Sequence, residues 1–201
     1  MTLDDLQAAI LATEPRDFVI HRLFDDGCWL FEQAALVAPG STYAQMKADI
    51  ANLLGIMPRG IAVVGSGKYG FSLSPTKAFR PFDAATSDID VLLASRPIFD
   101  EAWSELRTAY YAGYGQYKRQ HADQIFARCL VLQGSESYKS VYLRDLALQL
   151  SQLNAVVNSH VRLGLENPAK YRIYADWDDA VNYHSHGMGV LKRKLSDGHA
   201  E

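Results

Sequence analysis

The sequence predicts an α/β fold: a small mixed sheet flanked by helices, packed on one face and around its edges, with a helical N-terminal segment that supports the first strand. Three observations support it. Apolar residues recur at three- and four-residue steps through residues 1–54, the short apolar runs "GIAVVGS" and "SDIDVLLAS" stand between turn residues, and a long proline-free stretch carries leucines at helical intervals. At 201 residues the chain suits one domain, with 1–54 as the helical segment and 55–201 as the core and C-terminal helices. Hydrophobic residues make up 48% and charged residues 21%, ordinary globular usage that argues against wholesale disorder.

Taken in order, "LDDLQAAILATE" reads as a helix behind a Thr2 N-cap, and "RDFVIHRLFDDGCWLFEQAALVA" as helix broken near Gly27. "STYAQMKADIANLLG" places Tyr43, Met46, Ile50 and Leu53 on one face and stops at Gly55, so this helix is expected to pack on the sheet. "GIAVVGS" is a buried strand running into a glycine turn, and "SDIDVLLAS" is a second strand with an apolar far end. "IFDEAWSELRTAYYAGYG" follows as helix, "QIFARCLVLQG" as a third strand and "SESYKSVYLRDLALQLSQLNAVVNSHVRLGL" as a long helix. "AKYRIYADW" alternates Tyr171, Ile173, Ala175 and Trp177 with Arg172, Tyr174 and Asp176, which suits a half-buried strand. "DDAVNYHSHGMGVLKRKL" closes the chain as a helix weakened by two glycines.

A net charge of -3 supplies no global attraction for nucleic acid, and Lys192-Arg193-Lys194 reads as a solvated helix end that complements the helix dipole. Cys28 and Cys129 lie far apart in apolar surroundings and read as buried reduced thiols. The N-terminus begins with acids, and no apolar run is long enough to span a bilayer; the expectation is a cytoplasmic protein without membrane association.

The segment "GSGKYGFSLSPTKAFRPFDAATSDIDVLLAS" carries two competing signals. Gly65, Gly67 and Gly70 have the spacing of a dinucleotide-binding turn, which demands a helix directly afterwards and one acid at the end of the next strand. Here the continuation contains Pro75 and Pro81, and two acids open the next strand instead. Those acids, Asp88 and Asp90, are spaced to leave one face of a strand with Cα atoms about 6 to 7 Å apart. Two carboxylates so placed can share hard divalent cations, while Ile89 and Val91 anchor the other face. Backbone N–H groups of Gly65, Ser66 and Gly67, with the Ser66 hydroxyl and the Lys68 ammonium, are candidates to hold phosphate.

A Gly-Ser turn after one strand and Asp-x-Asp on the next resembles the nucleotidyltransferases of the DNA polymerase beta superfamily. The likeness is close over about 30 residues, and the order of elements from about residue 42 to 95 agrees with that fold. It implies a nucleotidyltransferase fold in which Gly65 and Ser66 bind a nucleoside triphosphate such as ATP, and Asp88 and Asp90 hold Mg2+ or Mn2+. In the implied reaction an acceptor hydroxyl attacks the α-phosphate and pyrophosphate leaves. Protein, nucleic acid and small molecules are all acceptors within the resemblance, as is a setting in toxin-antitoxin or antiphage defence. The short chain favours a partner protein or self-association to complete the substrate site.

Two departures stand out. The 21 residues between Ser66 and Asp88 exceed the family's short linker, and the Lys77 and Arg80 within them read as surface cations. The third carboxylate that the resemblance implies as catalytic residue and metal ligand is assigned to Asp176 on the polar face of "KYRIYADW", with Asp123 as the alternative. Asp176 equally suits a helix cap. Without a third acid, the expectation changes to a non-catalytic nucleotide-binding or interaction module. His184 and His186 read as partly exposed helix residues, and the tyrosines of "AYYAGYGQY" as core and rim.

Overall fold

Thr2 opens helix α1 (Leu3–Ala12) by a reciprocal cap, in which its hydroxyl accepts from the Asp5 N–H while the Asp5 side chain accepts from the Thr2 N–H. The computed structural model describes residues 2–77, 79–132, 134–165 and 168–198, apart from the side chain of Ile125. Short helical turns α2 (Pro15–Phe18) and α3 (Trp29–Glu32) flank the break at Gly27, with one π-helical turn over Val19–Leu23. Helix α4 (Tyr43–Leu54) starts at the Thr42 cap and ends at Gly55 in the left-handed conformation. Its buried face is Tyr43, Met46, Ile50 and Ala51, whereas Leu53, expected on that face, is 37% exposed.

Four strands form one sheet in the order β1 (Ile61–Val64), β2 (Ile89–Ala94), β4 (Ala169–Tyr174), β3 (Cys129–Leu130). β1 and β2 are antiparallel, β2 and β4 parallel, β4 and β3 antiparallel. This is the expected small mixed sheet, and its antiparallel first pair is incompatible with the parallel strands of a dinucleotide-binding unit. Between the strands run α5 (Ser66–Tyr69), α6 (Arg96–Tyr111), α7 (Gln116–Ile125) and α8 (Val141–His160), and α9 (Trp177–Ser196) follows β4.

Period-two alternation divides the core in two. Ile61, Val63, Ile89, Val91, Leu93, Tyr171 and Ile173 face one cluster, completed by apolar residues of α4, α6 and α8. Ala62, Val64, Leu92 and Tyr174 face the other, beneath α1, α2 and α9. Helices therefore cover both faces, where one face and the edges were expected. The Val63 N–H, on the free edge of β1, donates to the Tyr43 hydroxyl at 2.7 Å, so the N-terminal segment supports the first strand as anticipated.

The predicted third strand shrinks to Cys129–Leu130. Gln124 and Ile125 belong to the end of helix α7, residues 126–128 form a turn, and Arg128 adopts φ +43 just before pairing begins. Both cysteines are free and buried. No described helix is long and apolar enough to cross a membrane.

Candidate functional site

The turn after β1 and the beginning of β2 meet at one end of the sheet. Gly65 has φ +66 and ψ -143, a conformation that essentially only glycine adopts. A Cβ placed there would lie 3.1 Å from Asp90 Oδ2, so the turn is packed directly on the carboxylate. Asp90 lies opposite Val64 on β1 and Lys170 on β4. Asp88 is delivered by a tight turn: the Asp83 carboxylate accepts from the Ala85 N–H at 2.9 Å and the Thr86 hydroxyl at 2.8 Å, and the Ser87 N–H donates to the Asp83 carbonyl at 2.7 Å.

Gly65, Ser66, Asp88 and Asp90 line a cleft of about 480 Å3, within the usual range of small-molecule pockets. Its floor continues onto β4 through Lys170 and Arg172, and α9 contributes Tyr183, His184, His186 and Met188. The remaining wall is the segment between the two motifs. Residues 70–82 fold back on themselves, the Phe82 N–H donating to the Gly70 carbonyl at 2.7 Å and the Ser72 N–H to the Arg80 carbonyl at 2.9 Å. Phe79, buried at φ +58, anchors this excursion, and Lys194 Nζ ties it to α9 through the Pro75 carbonyl at 2.7 Å. Lys77 and Arg80 consequently line the cleft.

Of the other residues expected at the site, Lys68 is elsewhere. Its ammonium is buried and donates to the Asp25 carboxylate and to the Asp25 and Gly27 carbonyls, so it braces the N-terminal segment. Gly67 is buried against Val63 and Ile89 and does not line the cleft. Asp176 does not join Asp88 and Asp90. The parallel register puts Asp90 beside Lys170 and Ala94 beside Tyr174, so Asp176 lies past the opposite end of the strand, more than about 13 Å along it. There it caps α9 by accepting from the Asp179 N–H at 3.0 Å and pairs with Arg96. Asp123 is exposed on α7.

The position beside Asp90 is cationic instead. Lys170 pairs with Asp88, and this hydrogen bond raises the pKa of the ammonium. Burial pushes the Asp90 carboxyl above the usual carboxylate range, with Arg172 opposing the shift and Asp88 reinforcing it. The Arg172 guanidinium lies 5.8 Å from the centre of the Tyr183 ring. His184, partly buried among Phe24, Tyr174 and Tyr183, has its pKa pushed down to about 4 by burial and by Arg172, so it is neutral at pH 7.

A two-ion centre needs several oxygen ligands whose negative charge offsets that of the ions. This cleft offers two carboxylates, one already paired with Lys170, against four cations. Among the described residues, no three or more His, Cys, Asp or Glu side chains cluster so as to hold a metal ion. As the side chains stand, the cleft carries more cationic than anionic groups, a balance that favours an anion over a pair of divalent cations.

Sequence reasoning missed Lys170, Arg172 and His184 and gave Lys77 and Arg80 no specific role. The alternation of "KYRIY" held the signal for the first two, since it places Lys170 and Arg172 on the face of β4 that continues from Asp90. The chain matches no protein-family model, no curated protein and no solved structure.

Proposed function

We propose that the chain is a nucleotide-binding module that holds a nucleoside triphosphate in this cleft, phosphate chain toward Lys77, Arg80, Lys170 and Arg172. The observation that carries the reading is that these four cations line the cleft that Gly65 and Ser66 also line, against two carboxylates. Ser66, Ser72, Ser74 and Ser87 add polar lining, while Leu23, Leu73, Met188 and the Tyr183 ring supply apolar surface for a base and sugar. A ligand with a highly charged chain and a flat, less polar end matches both halves. The resemblance to nucleotidyltransferases independently favours a nucleoside triphosphate over a simple anion.

A second reading, divalent-ion-dependent nucleotidyl transfer to a protein, nucleic-acid or small-molecule hydroxyl, is favoured by one observation: Asp88 and Asp90 both reach the cleft beside Ser66. It requires Lys170 to release Asp88. Completion of the site by a partner or second copy, and a role in antiphage defence, belong to this reading.

Radiolabelled NTPs and dNTPs, supplied with Mg2+ or Mn2+ to the wild type and to Asp88→Asn/Asp90→Asn, separate the two. Saturable binding without pyrophosphate release supports the module. Release abolished by the substitutions establishes transfer, and absence of both binding and release overturns both readings.

A further inference from the structure

We infer that the cleft binds the triphosphate chain without a divalent cation, Lys170 and Arg172 supplying the positive charge that metal ions supply in a carboxylate-rich site. The inference rests on the nucleotide-binding reading and adds the counter-charge of that site. Its basis is the register of β2 and β4. A side chain on β4 beside Asp90, on the same face, is placed to share any ion that Asp90 holds, and the residues there are Lys170, opposite Asp90, and Arg172, opposite Leu92. Lys170 also occupies Asp88, so a cation approaching the carboxylates meets a pair already neutralised. A phosphate chain meets the opposite situation. Lys170 is 71% exposed at its side chain and its pair with Asp88 reaches solvent, so the ammonium can turn to a phosphate at little cost. Arg172 is partly buried and presents a planar donor fork suited to two phosphate oxygens. Lys77 and Arg80 line the same cleft from the segment between the two motifs, so the phosphate chain would meet cations from two parts of the fold.

The test is titration of full-length protein with ATP and with inorganic triphosphate, each in Mg2+ and in excess EDTA. The expected result is binding of both ligands with affinities in EDTA within about threefold of those in Mg2+, and a loss of about tenfold or more for Lys170→Gln and for Arg172→Gln. Lys170 is exposed, so its variant keeps the test valid if Arg172→Gln fails to fold. Lys170→Asp, which reverses the charge beside Asp90, is expected to make ATP binding depend on Mg2+. Wild-type binding that weakens more than about threefold in EDTA overturns the inference while leaving the nucleotide-binding reading intact. Unchanged affinity in Lys170→Gln also overturns it, and absence of binding in either condition overturns both.

Discussion

Gly65 and Asp90 are in contact across two strands: the glycine turns at φ +66, and a Cβ there would come a tight 3.1 Å from the Asp90 carboxylate oxygen. The two halves of the sequence motif therefore form one structural unit, and substitution of either should disturb the other. Gly65→Ala is expected to cost about 1–3 kcal/mol of stability through backbone strain and to weaken nucleotide binding. Urea denaturation and ATP titration check the two effects separately.

Lys68 looks like a phosphate ligand in the sequence, but its ammonium is buried against Asp25 and Gly27. Lys68→Met should destabilise the fold by about 1–3 kcal/mol, since it removes the charged donor shared by the Asp25 carboxylate and the Asp25 and Gly27 carbonyls. Its nucleotide affinity per folded molecule should equal that of the wild type, as measured by titration at a temperature where both are folded.

Asp176 tests the position of the third acid. Asp176→Ala is expected to lose about 1 kcal/mol from the α9 cap, with little more from the exposed pair with Arg96, and to leave ATP affinity unchanged. A loss of affinity comparable to that of a cleft variant would return Asp176 to the site.

The order of elements was largely legible because hydrophobic period and caps act locally: Thr2 and Gly55 mark helix ends that the structure retains. Where non-local geometry decides, the reading failed. Nothing local distinguishes Asp176 on a polar strand face from Asp176 capping the next helix, because strand length and parallel register determine which end it occupies. Lys77 and Arg80 became site residues only when residues 70–82 folded back and were tied to α9. Gly65 and Asp90 were placed in one site through the resemblance carried by their two motifs, and the pairing of β1 with β2 brings them into contact.

The depressed pKa of His184 ties stability to pH. Its folded value of about 4 lies below the ordinary 6.5, so between these values the unfolded chain binds a proton that the native state does not. His184 thus contributes stability that is present above 6.5 and is lost as pH falls toward 4, with a slope of up to about 1.4 kcal/mol per pH unit. Denaturation at pH 7, 6 and 5 should show this fall, and His184→Gln should flatten it. An unchanged slope in the variant would assign the fall to other groups.

Whether the cleft holds a nucleotide is decided by calorimetric titration of ATP, GTP, CTP and UTP with Mg2+ into the wild type and into Lys77→Ala/Arg80→Ala. These two side chains are exposed on the cleft wall, so their removal should spare the fold. Saturable binding of at least one nucleotide, one per chain, is expected, weakened about tenfold or more in the double variant. No saturable binding of any of the four, or equal affinity in both proteins, would contradict the nucleotide-binding reading.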